Sequence, residues 1–188
     1  MGEPFFTETQ QIAIVVPDLY AAMRVYVEEY GIGPWKIFEF NPSTGSGMIV
    51  HDQPVEYAMR VGLAQVGAVE WELIEPLDDH SIYAEFLAAN GGAAGLHHVA
   101  VKVADYDGAV AALRAKGHSI RQGGQYKGNT FAYMSTDRDL GAIVELVDAP
   151  PGVVHVPDAV FPPRSPHPST APDADADGAD SGGEGGQV

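Results

Sequence analysis

Four side chains that can bind a divalent cation, Gln11, Glu72, His98 and Glu145, fall at matching places in two similar halves of the chain. His98 belongs to Gly95-Leu96-His97-His98-Val99-Ala100-Val101, where imidazole stands at the mouth of an apolar, β-branched run. Glu145 lies in Ala142-Ile143-Val144-Glu145-Leu146-Val147, and a period of two puts it on the face of Ile143 and Val147, residues that normally bury. An unpaired carboxylate there costs several kcal/mol, so it needs a compensating partner. Glu72, between Trp71 and Leu73, poses the same problem in the other half, and Gln11 heads its strand as His98 does. If the halves pair about a pseudo-twofold axis, the four converge on one cavity with two carboxylates, one amide oxygen and one imidazole. That donor set suits one octahedral divalent ion with open water positions: Zn, Mn, Co, Ni or Fe(II).

Each residue taken singly has a plainer role. A histidine at a strand start is commonly a hydrogen-bonded structural residue, Gln11 a surface strand end, and either glutamate a partner for Arg60 or Arg138. The repeat, with four suitable types at related positions, favours the metal. His97 alternates to the opposite face and is not expected to be a ligand, and His51, His80, His118, His155 and His167 receive no role.

The elements that must position these groups repeat as well. Gln11-Ile12-Ala13-Ile14-Val15-Val16 reads as a strand leading to Asp18, seven residues after Gln11, and His98 is followed at the same interval by Asp105. Both aspartates read as N-caps of the helical patterns behind them. The first half continues with strands over 35–40, 56–64 and 69–74, and 41–54, rich in Pro, Ser and Gly, reads as a loop over a cavity. A helix over 79–89 links to the second half, which has a strand over 97–103, a helix over 105–116 stopped by Gly117, and strands over 118–122, 130–135 and 142–147. The expected fold is α+β: two βαβββ modules, residues 8–78 and 79–149, pairing into a curved sheet around a central cavity. Residues 150–188, rich in Pro, Ala, Gly and Asp, read as a disordered acidic tail.

Composition narrows the partners. The formal charge is −16, and no basic cluster offsets it, so nucleic acid is not an expected partner. There is no cysteine, which removes disulfides, thiolate catalysis and sulfur-ligated metals. No segment reaches the roughly 18 apolar residues of a membrane span, and Met1-Gly2-Glu3-Pro4 shows no leader pattern. A soluble cytoplasmic protein without a membrane partner is the expectation.

The repeat resembles the βαβββ module of the vicinal oxygen chelate superfamily, which includes glyoxalase I, methylmalonyl-CoA epimerase, extradiol dioxygenases and bleomycin-resistance proteins. The likeness spans about residues 8–149. The segment from Pro76-Leu77 through Ser81 and Phe86-Leu87 to Gly95-Leu96-His97-His98 looks most like methylmalonyl-CoA epimerases, whose pattern is PL, S, FL, GLHH. By that resemblance His98 and Glu145 fall on metal-ligand positions, Gln11 stands where epimerases usually carry His, and Glu72 where they often carry Gln. The Gln, Glu, His, Glu set is instead similar to the zinc ligands of eukaryotic-type glyoxalase I.

The resemblance implies a metal-dependent enzyme that moves a proton α to the carbonyl of a small molecule, with acyl-CoA thioesters among the candidates, through a metal-stabilised enolate. Epimerisation, isomerisation and a glyoxalase I-type lyase reaction share that logic. Epimerases carry a glutamate base where ungapped placement puts Arg60, and Glu56 replaces it only if the register differs. In the manner of glyoxalase I, Glu72 or Glu145 then takes the proton, and Arg60 becomes an anchor for an anionic substrate, its plainer role being an ion pair with Glu56 or Glu39. A binding protein of the bleomycin-resistance type, with Trp35, Phe38 and Phe40 lining its cavity, and an Fe(II) extradiol dioxygenase are the rivals. Gln11 disfavours the dioxygenase by removing one His. A homodimer is the family's expectation.

Overall fold

Both halves open with a strand, a turn closed by aspartate, and a helix. The computed structural model describes residues 5–152 and 154–163. The first half runs β1 (Glu8–Val15), α1 (Leu19–Tyr30), β2 (Trp35–Phe40), β3 (Gly45–Val50), β4 (Gln53–Pro54), β5 (Met59–Val66) and β6 (Val69–Pro76). A linking helix, α2 (Ile82–Ala89), leads to β7 (Gly95–Lys102), α3 (Tyr106–Ala115), β8 (Ile120–Tyr126) and β9 (Asn129–Met134). A single helical turn, α4 (Asp137–Leu140), then precedes β10 (Ile143–Asp148) and β11 (Ala159–Phe161).

The expected caps form. Asp18 accepts a 2.8 Å hydrogen bond from the Ala21 amide and Asp105 one of 3.0 Å from Gly108, each satisfying an otherwise orphaned donor of the first helical turn. The linking helix begins at Ile82 and not at Asp79, because Ser81 is its cap and accepts from Ala84 at 3.3 Å.

All strands join one sheet in the order β11-β2-β5-β6-β1-β7-β10-β9-β8-β3-β4. The halves meet along the antiparallel β1/β7 pair, and each flanks it with a parallel partner, β6 on β1 and β10 on β7. Around that seam β2-β5-β6-β1 and β7-β10-β9-β8 run in mirrored order, which is the expected pairing of two modules in a curved α+β sheet.

Alternation divides the residues between two faces. On β5, Met59 and Val61 enter an inner cluster with Phe40, Tyr57, Tyr83, Phe131 and Tyr133. Gly62 and Ala64 face outward under α1, and a Cβ on Gly62 would lie 3.1 Å from Met23 Sδ, so close helix approach requires the glycine. Leu113 of α3 packs with Met134 and Leu146 in the equivalent outer cluster of the second half.

Two expectations are corrected. Residues 41–54 are not simply a loop: β3 crosses to the other half and pairs with β8, from Gly45 opposite Tyr126 to Val50 opposite Gln122, burying Met48 and Val50. Gly-Ser-Gly has poor strand propensity, and the unpaired β8 edge supplies what local preference lacks. Nor do residues 154–163 belong to a disordered tail. The Asp158 amide donates to Ile37 O at 2.8 Å, its carboxylate accepts from the Glu39 amide at 2.8 Å, and β11 then adds to the β2 edge with Phe161 against Tyr20. The acidic stretch 165–188 lies outside the described residues. Among those described, no helix is long and apolar enough to cross a membrane.

Candidate metal centre

Glu72 comes from β6, His98 from β7 and Glu145 from β10, and one ligand atom of each lies within 4.8 Å of the others. The register explains how three strands bring them together. Ala13 of β1 stands between Glu72 and His98 in one cross-strand row, and Ala100 of β7 stands between Gln11 and Glu145 in the next. Both alanines are fully buried. Their methyl groups leave room for the longer side chains to meet over them, where a larger residue would keep them apart.

His98 Nε2 is 3.2 Å from Glu145 Oε2 and 3.3 Å from Glu72 Oε2, and His98 is fully buried. One Nε2 proton serves Glu145, and Glu72 Oε2 is left buried without a hydrogen-bond partner. Burial opposes charging of His98, but the hydrogen bond to Glu145 and the adjacent Glu72 carboxylate outweigh it and hold the imidazolium up to about 9. Burial raises the Glu72 carboxyl, against the pull of His98. A divalent cation in the place of that proton would be met by two carboxylates and an imidazole nitrogen and would satisfy the orphaned oxygen, so these residues could hold a metal ion.

Behind the imidazole, His98 Nδ1 lies 3.0 Å from His97 Nδ1. Burial, and then the charge of His98, hold His97 down to about 3, so it is neutral and accepts from His98 Nδ1–H. That bond leaves Nε2 as the nitrogen facing the carboxylates. Tyr133 closes the other side, its ring 4.7 Å from that of His98 and its hydroxyl accepting from Tyr83 at 2.8 Å.

Gln11 lies one row further along β1, and its Nε2 donates to Glu70 Oε2 at 2.9 Å. An ionised carboxylate only accepts, so Glu70 fixes which way the amide faces and leaves Oε1 free to ligate. Gln11, Glu72 and Glu145 line a cavity of about 170 Å³ whose walls include Phe38, Phe40 and Phe131, with Asn129 and His155 also in its lining.

Arg60 is not in this cavity. It shares the outer face with Gly62, binds Glu75 at 3.1 Å and Glu39 at 3.3 Å, and lies over the Tyr20 ring of α1. The alternation of β5 puts Met59 and Val61 inward and Arg60 outward, so the anchor role is withdrawn in favour of the ion pair. Glu56 is exposed and precedes β5. Of the rival cavity residues, Phe38 and Phe40 do line it, whereas Trp35 packs under α1.

Four contributors had no expected role: His97, Glu70, Asn129 and His155. Glu70 was legible in part, because it alternates with Glu72 on one face of β6, but its pairing with Gln11 depends on the β1/β6 register. His155 arrives only through the return of the C-terminal segment to β2.

Solved structures share this architecture. A methylmalonyl-CoA epimerase is 27% identical with a TM-score of 0.55, over 79% of this chain and 99% of that one. The Streptomyces coelicolor methylmalonyl-CoA epimerase in complex with 2-nitronate-propionyl-CoA is 25% identical with a TM-score of 0.58, over 81% and 99%. The Mycobacterium tuberculosis enzyme, 24% identical with a TM-score of 0.58 over 80% and 93%, shares the fold. No curated protein matches the sequence. The family model described as Glyoxalase/Bleomycin resistance protein/Dioxygenase superfamily matches residues 10–133. With that match over more than half its length, the chain belongs to the glyoxalase/bleomycin resistance/dioxygenase superfamily.

Proposed function

We propose that the protein is a metal-dependent enzyme that transfers a proton at the carbon α to the carbonyl of a small molecule, with Gln11, Glu72, His98 and Glu145 holding the ion. The observation that carries this reading is the buried Glu72, His98, Glu145 cluster, with one carboxylate oxygen unpartnered beside an apolar cavity. When bound, a divalent ion supplies Lewis acidity that lowers the cost of negative charge on the substrate oxygen. The chain's own groups do the rest. Glu72, whose proton affinity burial raises, takes the proton. Glu145 and His98 would remain as donors to the ion. The aromatic walls exclude water from the reacting carbon. Return of the proton to the other face gives epimerisation, and return to the neighbouring carbon gives isomerisation or the lyase-type outcome.

The epimerase neighbours support proton transfer, and one of them is described with an acyl-CoA analogue. One imidazole with two carboxylates differs from the two-imidazole, one-carboxylate set of an Fe(II) dioxygenase. The aromatic walls also favour a second reading, a non-catalytic binder of the bleomycin-resistance type.

Chelator-treated protein is to be reloaded with Zn, Mn, Co or Ni and screened in D2O for deuterium incorporation into carbonyl compounds. Exchange that is lost on chelation, restored by metal and abolished in Glu72→Gln is the expected result. Full activity without metal sinks the mechanism, and tight ligand binding by metal-free protein with no exchange under any metal favours the binder.

A further inference from the structure

We propose that residues 154–158 form a flap that closes one side of the cavity, latched by Lys127 on Asp158, and that release of this latch admits the molecule bound inside. The flap requires neither a metal nor a reaction, so it stands apart from the proton-transfer reading.

The two modules do not complete the cavity by themselves. The sheet curves until the Phe40 ring of β2 lies 5.7 Å from those of Tyr126 and Phe131 in the other half. Even so, the lining takes one residue, His155, from beyond both modules. The segment that carries it alternates against the usual rule. Val154 and Val156 are 86% and 75% exposed, while His155 between them is half-buried in the cavity wall. Valine gains by burial and imidazole loses, so a segment held only by its own preference would turn the other way. A local rule broken in this manner marks a functional position.

Few bonds hold this segment. Its ladder with β2 starts only at Ala159, one residue after the Asp158 amide bonds to Ile37 O. Asp158 joins the two halves: its carboxylate accepts from the Glu39 amide of β2 at 2.8 Å and from Lys127 Nζ of the β8–β9 turn at 3.4 Å. The same ammonium donates to Val156 O at 3.2 Å and lies over the rings of Phe38 and Tyr126, both in the cavity lining. One side chain therefore spans the flap, the first-half wall and the second-half turn. Beyond it, β11 and the Phe161 ring against Tyr20 fix the C-terminal end. A segment anchored beyond Asp158 and latched before it by one partly exposed ion pair opens locally at small cost.

NMR of the metal-free full chain tests the flap, with methyl labels on methionine and leucine and the neutral nitroxide TEMPOL as the probe. Met59 and Leu63 line the cavity, whereas Met23 and Met134 lie in the outer clusters and serve as controls. Lys127→Met keeps the aliphatic stem and removes the ammonium. It should raise TEMPOL broadening of Met59 and Leu63 by about two- to fivefold, the range of an exposed ion pair, and speed hydrogen exchange of the Asp158 amide by a similar factor. Met23 and Met134 should not change. His155→Ala should also raise the broadening but leave Asp158 exchange at its wild-type rate, because the flap stays docked without its inward side chain. Faster Asp158 exchange with unchanged broadening at Met59 and Leu63 overturns the flap, as does broadening that rises equally at Met23 and Met134. No change of either kind in Lys127→Met overturns the latch. Deuterium incorporation into carbonyl compounds, present or absent, bears on the proton-transfer reading alone.

Discussion

The two halves place equivalent residues at the site in unequal surroundings. The second half contributes His98 and Glu145 already bonded to each other, both buried, with His97 behind the imidazole and Tyr133 against its ring. The first contributes Glu72 with an unpartnered oxygen and Gln11, half-buried and tied to Glu70 at the rim. Equal positions in the repeat therefore serve different ends. The second half holds a bonded pair, and the first presents a carboxylate oxygen without a hydrogen bond beside an amide tied to Glu70.

If that contrast is right, Glu145→Ala has the largest effect. Metal affinity measured by competitive chelation should fall more than about 100-fold, since a ligand is lost together with His98's partner. Urea unfolding of the metal-free variant should show a loss of about 3 kcal/mol, because removing one member of a buried pair strands the other. Equal losses for Gln11→Ala would erase the asymmetry.

The next test is the pH dependence of metal-free stability. His98, held at about 9 when folded against 6.5 when unfolded, binds its proton more tightly in the native state. Its contribution is complete below pH 6.5 and is lost as pH rises through about 9. His97, held down at about 3, contributes fully above 6.5, and that contribution is lost as pH falls through about 3. Urea midpoints in chelator should therefore be highest near pH 6.5, and His97→Phe should flatten the acid limb.

His97→Phe should also weaken metal binding by about 10- to 100-fold while all four proposed ligands remain, the range for loss of a group that orients a ligand. Unchanged affinity would make His97 mere packing. The smallest effect is expected at the rim: Glu70→Gln should weaken metal binding by about tenfold without moving the urea midpoint, because Glu70 only sets which atom Gln11 presents. A shifted midpoint with unchanged affinity would assign Glu70 to stability instead.

Much of this architecture was legible because local chemistry enforces it. Asp18 and Asp105 cap helices wherever an extended segment meets a helical pattern, and Glu72, His98 and Glu145 betray themselves as polar residues on buried faces of apolar strands. The place of Arg60 depends on neighbours its own strand does not contain, Glu39 of β2 and Glu75 of β6. The Gly-Ser-Gly of β3 and the Pro-rich stretch before β11 misled because their strands depend on edges supplied by distant β8 and β2.

The sequence by itself determined the repeat, the kinds of donor and the strands that carry them, since periodicity and burial cost act over a few residues. Only the tertiary structure decided which donors meet, that alanines at 13 and 100 stand between them, and that His97 and Glu70 bond to two of them. Those properties belong to register and cross-strand neighbours, which one strand's pattern does not contain.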